Sequence, residues 1–439
     1  MRRHLLPLGL AALFFNPSYA QTTDAVRGGA VETSIIGALR ATEPDGTLTL
    51  KAALELSLGA NPELSAAARE LEALDATIVQ AQVRQNPEFS ALIEAASRAT
   101  PRTTTLQLTQ PIELGGKRGA RIEAAERGRE AALAELGAKR AEIRAAVAAV
   151  FFDVLVAQER LRLARASVEL AQRATEAASR RVTAGKVPPV EETKARVAEA
   201  GARVELALAA SGLSTARKRL AATWGNPAPR FERVEGNPEA LPPLPALADL
   251  NGRLATSPNL LRARIEIDRR QALVEVERSR RIPDVSVSLG AKRNEYSGFN
   301  QALFELSVPL PMFDRNQGNV LEALRRTDKA RDELTAAETR LSYELALAHE
   351  RLSSAHQEVE LLQREILPGA QGAYAAASKG FELGKFSFLE VLDAQRTSFQ
   401  AQSQYLRALA EAHSSSAEIE RILGEASPNS AIAPATTKP

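Results

Sequence analysis

From Lys117 to Thr183 the chain contains no proline, and from Gln317 to Gly380 it meets only Pro368. At about 1.5 Å per residue either run builds a helix of up to roughly 100 Å, far longer than a compact domain. Each carries an apolar seam spaced alternately by four and three residues. The first runs Ile143, Val147, Val150, Val154, Ala157, Leu161, Ala164, Val168; the second runs Leu341, Leu345, Ala348, Leu352, Ala355, Val359, Leu362, Ile366. That spacing predicts left-handed coiled-coil packing. Aromatic residues are only 4% of the chain and alanine dominates the apolar set, which favours close helix–helix approach over a bulky globular core. Each long run ends in a short break, residues 184–190 and 381–389, followed by a returning helix.

The two runs belong to a duplicated unit. Asn61-Pro62 is repeated at Ser257-Pro258 and Asn86-Pro87 at Ile282-Pro283, both 196 residues on. Gln110-Pro111 recurs at Val308-Pro309, an offset of 198, and Gly185-Lys186 at Gly384-Lys385, an offset of 199. Gly225 and Gly424 close the two copies at the same 199. The expected organisation is a first repeat over 47–225, with strands in about 86–113, a long helix over 117–183 and a tip at 184–190. A proline-rich linker, 226–246, leads to a second repeat over 247–426, with strands in about 283–310, a long helix over 317–380 and a tip at 381–389. Residues 21–46 form an N-terminal extension, and 427–439 a disordered tail rich in Pro, Ala and Thr.

Between the first helix of each repeat and its long helix, the apolar period changes to two. Val285, Val287 and Leu289 alternate with Ser286, Ser288 and Gly290, and Phe304, Leu306, Val308 and Leu310 alternate with Glu305, Ser307 and Pro309. The first repeat shows a weaker version in Phe89, Ala91 and Ile93, then Leu106, Leu108 and Ile112. Strands of this length and alternation suit a barrel wall between lipid and water, and equally a half-buried hairpin in a soluble sheet. Four strands do not close a barrel, and open sheet edges are not tolerated in lipid, so the membrane reading requires several chains.

The amino terminus has the pattern of a secretory signal over 1–20. Arg2 and Arg3 precede an apolar stretch from Leu5 to Phe15, and Ser18-Tyr19-Ala20 supplies small residues for cleavage before Gln21. No later stretch approaches the roughly 18 apolar residues of a membrane helix. Cysteine is absent, which excludes disulfides and thiolate metal sites. An exported chain of this kind is either soluble in the periplasm or embedded in the outer membrane as strands. With 56 basic and 54 acidic residues interspersed, it has no nucleic-acid footprint.

Over nearly its whole mature length the chain resembles the TolC family of outer-membrane efflux proteins. The duplicated unit carries the likeness, with the strand-to-helix junctions Gln110–Arg118 and Val308–Gln317 and the tip Gly384–Gln395. The junctions look most like the branch serving cobalt-zinc-cadmium resistance. The resemblance implies a mainly α fold with a small β part: long coiled-coil hairpins, plus two β-hairpins per chain contributing to a trimeric 12-stranded membrane barrel. It implies a homotrimer in outer-membrane lipid of a Gram-negative bacterium, with a large periplasmic part. A periplasmic adaptor protein and an inner-membrane RND-type pump are the implied partners. The adaptor would contact Gly185, Lys186, Gly384, Lys385 and Ser387. The family's acidic periplasmic constriction maps onto Glu390 and Asp393, with Glu390 where Asp is more familiar. Six such carboxylates in a narrow throat repel, raise one another's pKa and attract cations. Pro188-Pro189 departs from the family pattern and puts equivalence of the two tips in doubt.

No catalytic constellation, metal site or cofactor motif is present, and the chain is not expected to be an enzyme. His349 and His356 lie about 10 Å apart on one helix, too far to share an ion, and are expected to face solvent. Gly115-Gly116-Lys117-Arg118 lacks phosphate-loop spacing and is read as a junction. The expected function is a channel for divalent heavy-metal cations in a tripartite efflux complex. The alternatives are the same channel serving drugs or type I protein secretion, and a soluble periplasmic coiled-coil adaptor.

Overall fold

The computed structural model describes residues 43–94, 102–237, 239–294, 298–383 and 385–424. The expected signal segment, the extension through residue 42, Gly384 and the 427–439 tail lie outside the described residues. The chain runs β1 (Thr47–Thr49), α1 (Leu50–Ala60), α2 (Pro62–Gln82), β2 (Glu88–Glu94), β3 (Thr103–Ile112), α3 (Lys117–Thr183) and α4 (Pro189–Ala222). It continues β4 (Arg233–Glu235), α5 (Leu247–Leu254), α6 (Pro258–Ser279), β5 (Val285–Asn294), β6 (Asn300–Ser307), α7 (Gln317–Leu361), a π-helical turn (Leu362–Ile366), α8 (Leu367–Glu382) and α9 (Phe388–Leu423). Among the described residues no helix is long and apolar enough to cross a membrane.

The repeated prolines are helix starts. Asn61 accepts from Glu63 N (2.8 Å) and Leu64 N (3.1 Å), Ser257 accepts from Leu260 N (3.4 Å), and Pro62 and Pro258 open α2 and α6. Proline at a first helical position lacks only a donor that would have no partner anyway. The glycines closing the units sit against them. A Cβ on Gly225 would lie 3.3 Å from Pro62 Cγ, and one on Gly424 would overlap the Pro258 ring.

The four long strands form one antiparallel sheet in the order β2-β3-β5-β6, so both repeats share it. Register aligns Phe89, Leu108, Leu289 and Phe304 in a row across all four strands, each half or more exposed. The next row, on the other face, is Glu88, Thr109, Ser288 and Glu305. There Thr109 Oγ1 lies 2.9 Å from Ser288 Oγ, and Gln107 donates to Glu305 (2.9 Å). One face is therefore apolar and solvent-bare, the other polar and cross-linked.

Gly115-Gly116-Lys117 joins the sheet to α3. Both glycines are left-handed, at φ +69° and +73°. A Cβ on Gly115 would come within 2.8 Å of Ile282 Cβ. Asp284 accepts from Lys117 Nζ (2.6 Å) and Leu114 N (3.1 Å), tying the first repeat's junction to the second repeat's first strand.

Below the sheet the helices neighbour one another in the order α2-α3-α6-α7, and nearer the tips in the order α4-α3-α9-α7. A separate apolar core lies at the waist of each repeat. Leu48, Phe151, Leu220, Phe231 and Val234 belong to the first; Leu250, Leu345, Leu352, Ala412 and Ile422 belong to the second. The linker is ordered by contacts that the sequence did not reveal. β4 pairs in parallel with β1, and Gln158 bonds both the N–H (2.8 Å) and carbonyl (3.1 Å) of Val234. His349 and His356, expected to face solvent, are instead half-buried against the linker. Their Nε2 atoms lie 3.1 Å from Pro245 O and 2.7 Å from Pro242 O. A carbonyl only accepts, so each Nε2 carries the proton.

The second long helix also departs from expectation. It is interrupted by the π turn, where Leu367 N–H reaches back to Leu362 O. The wide turn precedes Pro368, whose ring in an α-helix would strike the carbonyl four residues back. Its effect on packing is a phase shift. Buried seam positions in the two repeats differ by 198 up to Ala164 and Leu362, but by 199 at Ala171/Ala370 and Ala178/Ala377. Ile366, expected in the seam, is consequently 39% exposed. The π turn thus holds one extra residue. Deleting Glu365 together with Pro368→Ala should yield a continuous α-helix and keep Ala370 and Ala377 buried. A one-residue deletion near Leu352 should unseat both. Thermal unfolding of the two variants should differ by several degrees, the first lying nearer to wild type.

Candidate functional site

The helical tips carry the residues singled out by sequence. At the first, Gly185 (φ +68°) turns the chain, with Gly185 N donating to Val182 O and Lys186 N to Arg181 O, each 2.9 Å. At the second, Lys385 N donates to Gly380 O (2.8 Å), the same six-residue closure. Gly185, Lys186, Lys385 and Ser387 are all exposed.

The exits from the tips differ. Pro188 leads into α4 with no side-chain cap, whereas Ser387 caps α9. Ser387 Oγ accepts from Glu390 N (3.4 Å), while Glu390 Oε2 accepts from Ser387 N (2.6 Å) and Ser387 Oγ (2.9 Å). This is a reciprocal capping box. Within one protomer the Ser387 backbone N–H, followed by its hydroxyl, holds the Glu390 carboxyl below its ordinary pKa. The local effect is opposite in sign to the mutual repulsion expected of an acidic throat. Asp393, one turn on, is exposed, and its carbonyl accepts from Thr397 Oγ1 (2.9 Å). Among the described residues neither carboxylate has a cation within ion-pair distance.

A lateral link, not anticipated from sequence, joins the tips. Ala178 and Ala195 are buried between α3 and α4, and Phe381 and Leu392 pack against them. The Arg181 guanidinium lies 4.4 Å from the centre of the Phe381 ring, a contact worth about 0.5–1 kcal/mol at an exposed site. The helix bearing Glu390 and Asp393 is thereby held to the first repeat through Leu392. An aromatic just before the tip, in a chain so poor in aromatics, was the available signal.

Above the tips, α2, α3, α6 and α7 line an open groove of about 1430 Å³, walled largely by alanines, with five glutamates and five arginines. Glu135 pairs with Arg262 across α3 and α6 (2.5 Å), and Glu113 pairs with Arg121. The guanidinium of Arg121 holds the Glu113 carboxyl below its usual range. A smaller groove of about 350 Å³ between α3, α7 and α9 contains Arg351, Glu418 and Arg421. Among the described residues no cluster of three or more metal-ligating side chains occurs.

The model for the family described as "Outer membrane efflux protein" matches residues 53–226 and again 250–425. The chain belongs to the outer membrane efflux protein family. The cobalt-zinc-cadmium resistance protein CzcC of Cupriavidus metallidurans is 50% identical over 97% of this chain and 100% of its own length. The nickel-cobalt-cadmium resistance protein NccC of Alcaligenes xylosoxydans xylosoxydans is 30% identical over 64% of this chain and 65% of its own. Among solved structures, CusC superposes with a TM-score of 0.74 at 20% identity, covering 86% of this chain and 92% of CusC. The open-state outer membrane channel MtrE of Neisseria gonorrhoeae superposes at 0.71 and 18% identity, covering 85% and 88%. These two likenesses establish the outer membrane efflux fold.

The capping box makes α9 sensitive to acid. Because the Glu390 pKa is lowered on folding, its contribution is complete above the unfolded value and disappears as pH falls through the folded one. Amide protection factors at the start of α9, corrected for the intrinsic exchange rate, should therefore fall on acidification. Ser387→Ala should cost this terminus about 1 kcal/mol and flatten the pH dependence.

Proposed function

We propose that the chain is the outer-membrane channel of a tripartite efflux complex exporting divalent heavy-metal cations of the cobalt, zinc and cadmium type. The observation that carries the cargo is the 50% identity to a cobalt-zinc-cadmium resistance protein along that protein's full length.

The channel assembly is supported by edges left open at every level. β2 and β6 bound the sheet, α2 and α7 the helices beneath it, and α4 and α7 the row above the tips. On α4, Val190, Val197, Val204 and Leu208 form an apolar stripe more than half exposed, spaced seven, seven and four residues. Such spacing fits a coiled-coil seam with no partner in its own chain. Tyr343, Leu347 and Leu361 are exposed on α7. Three copies joined first edge to last give a 12-stranded barrel, with its apolar rows in lipid, continued by a helical cylinder. A homotrimer is the natural closed form of this head-to-tail contact.

In this assembly the tips around Gly185, Lys186, Gly384, Lys385 and Ser387 receive the periplasmic adaptor, which links them to an inner-membrane RND-type pump. Glu390 and Asp393 of three chains form the acidic gate. The two residues lie about 4.5 Å apart along the helix axis and, among the described residues, have no basic partner, so cations are drawn to the entrance. Since Glu390 is already engaged with Ser387, Asp393 is the more available of the two.

A deletion strain should lose tolerance to zinc, cobalt and cadmium and keep tolerance to a cationic dye. Sensitivity to the dye alone would move the cargo to drugs. Val197→Asp, at a position 68% exposed in the protomer, should preserve helix content by circular dichroism. It should lower the native mass from trimer to monomer.

A further inference from the structure

We infer that the loop between β6 and α7 is a lipid-interface anchor, laying Leu310, Met312 and Phe313 into the periplasmic boundary of the bilayer with Arg315 at the level of the phospholipid headgroups. The inference rests on the reading of the sheet as part of a membrane barrel, and it extends lipid contact to a segment outside the strands.

The two strand-to-helix junctions end alike and differ in length. Gly116 and Asn316, both left-handed, stand immediately before α3 and α7. Pro111 precedes Gly116 by five positions, whereas Pro309 precedes Asn316 by seven. The helices compensate: α3 starts 26 residues before Ile143, and α7 only 24 before the equivalent Leu341. The second repeat has thus turned two helical positions into loop. That loop is held in shape. Met312 N–H donates to Leu310 O, Arg315 N–H to Gln317 Oε1 and Asn316 N–H to Asp314 Oδ1, each 2.8 Å. Asn316 Nδ2 ties it to Glu277 O on α6 (2.8 Å), and Pro309 and Pro311 restrict its backbone. The scaffold nevertheless leaves Phe313 91% exposed, the most of any large apolar side chain among the described residues, with Leu310 and Met312 bare beside it. A fixed apolar display of this kind marks a contact surface.

Face, depth and chemistry point to lipid as its cover. Phe304, Leu306, Val308 and Leu310 alternate, so the chain leaves β6 on the apolar side of the sheet, the side that also carries exposed Ile112. A neighbouring copy would meet β6 along its hydrogen-bonding edge, in the plane of the sheet, whereas these side chains stand out of that plane. Leu310 lies six residues past the row containing Phe304, which crosses the middle of the sheet. At about 3.3 Å per residue and a strand tilt near 40°, the drop is roughly 15 Å, about half of a 30 Å hydrocarbon core. Arg315 Nε donates to Pro311 O (3.3 Å), which folds the guanidinium onto the loop, and among the described residues it has no carboxylate partner. An aromatic ring at the acyl boundary beside an arginine that reaches headgroup phosphates is the arrangement of an interfacial anchor.

The test uses purified full-length protein in vesicles of phosphatidylethanolamine and phosphatidylglycerol. The chain has no cysteine, so Phe313→Cys gives a unique attachment point for a nitroxide. Its collisions with oxygen report lipid, and those with a water-soluble nickel complex report water. Phe304→Cys, in the middle of the sheet, and Glu232→Cys, exposed on the linker, supply the two references. The oxygen-to-nickel ratio at 313 should exceed that at 232 at least threefold and lie below that at 304. Met312→Cys carries the same test if labelling at 313 disturbs the loop. Phe313→Asp should keep the native mass of the oligomer. Nickel access at 313 equal to that at 232 would mean that water bathes the loop, and exclusion of both probes would mean that a neighbouring copy covers it. Either result, or loss of the oligomer in Phe313→Asp, would overturn the inference. A lipid signal at 304 without one at 313 would overturn it alone, whereas a water signal at 304 would remove the barrel reading and the anchor with it.

Discussion

In the proposed channel, a strand edge in hydrocarbon is the constraint on which the rest of the architecture depends. Backbone N–H and C=O groups along the free sides of β2 and β6 have no water to turn to inside a bilayer, and each unmet group costs several kcal/mol. The sheet's row of Phe89, Leu108, Leu289 and Phe304 makes lipid its favourable surroundings, and the same surroundings make its open edges untenable. In the proposed trimer one geometric operation, placing the last element of a chain beside the first of the next, would relieve the problem for the strands. The same operation would cover the apolar stripe on α4, which is exposed in the single chain. The three levels are coupled because each presents four elements with matching outer members.

Much of this was legible in residue order. Alternation in 285–289 and 304–306 marked strands with one apolar face, on which Leu289, Phe304 and Leu306 are exposed. The fours and threes from Leu341 to Leu362 marked a seam that is buried throughout. Pro62 and Pro258 marked helix starts. Features set by one residue's relation to a distant one were not legible. Ile366 has the correct spacing and the wrong environment, because the neighbouring Pro368 forces a wide turn that periodicity alone does not register. His349 and His356 sit on a polar helix face, and only the path of the linker brings Pro245 and Pro242 over them. At the tip, Ser387 and Glu390 form a recognisable capping pair, so a residue read for its charge also has a local structural duty. The arginine partners of the groove were hidden because Arg262 and Glu135 lie 127 residues apart in the chain.

The two repeats have diverged where their tasks differ. Both tips close with the same backbone bonds, but only the second is capped by a side chain and only the second carries the acidic pair. Proline stiffens the first exit, and reciprocal hydrogen bonds stiffen the other. The link from Arg181 to Phe381 makes the two tips neighbours within a protomer, so displacement of one is felt by the other.

The two waist cores have a consequence for how such a chain is made. Every buried member of the first lies between Leu48 and Val234, so that core closes without anything downstream. The sheet lacks this independence. Thr109 and its hydrogen-bond partner Ser288 are 179 residues apart, and β3 gains its second neighbour only when β5 arrives. On a polypeptide delivered amino-terminus first, the β2–β3 hairpin waits in water with Phe89 and Leu108 bare. Duplication therefore imposes an interval on folding during which half a sheet, with an apolar face and an unpaired β3 edge, exists without its other half and is open to self-association.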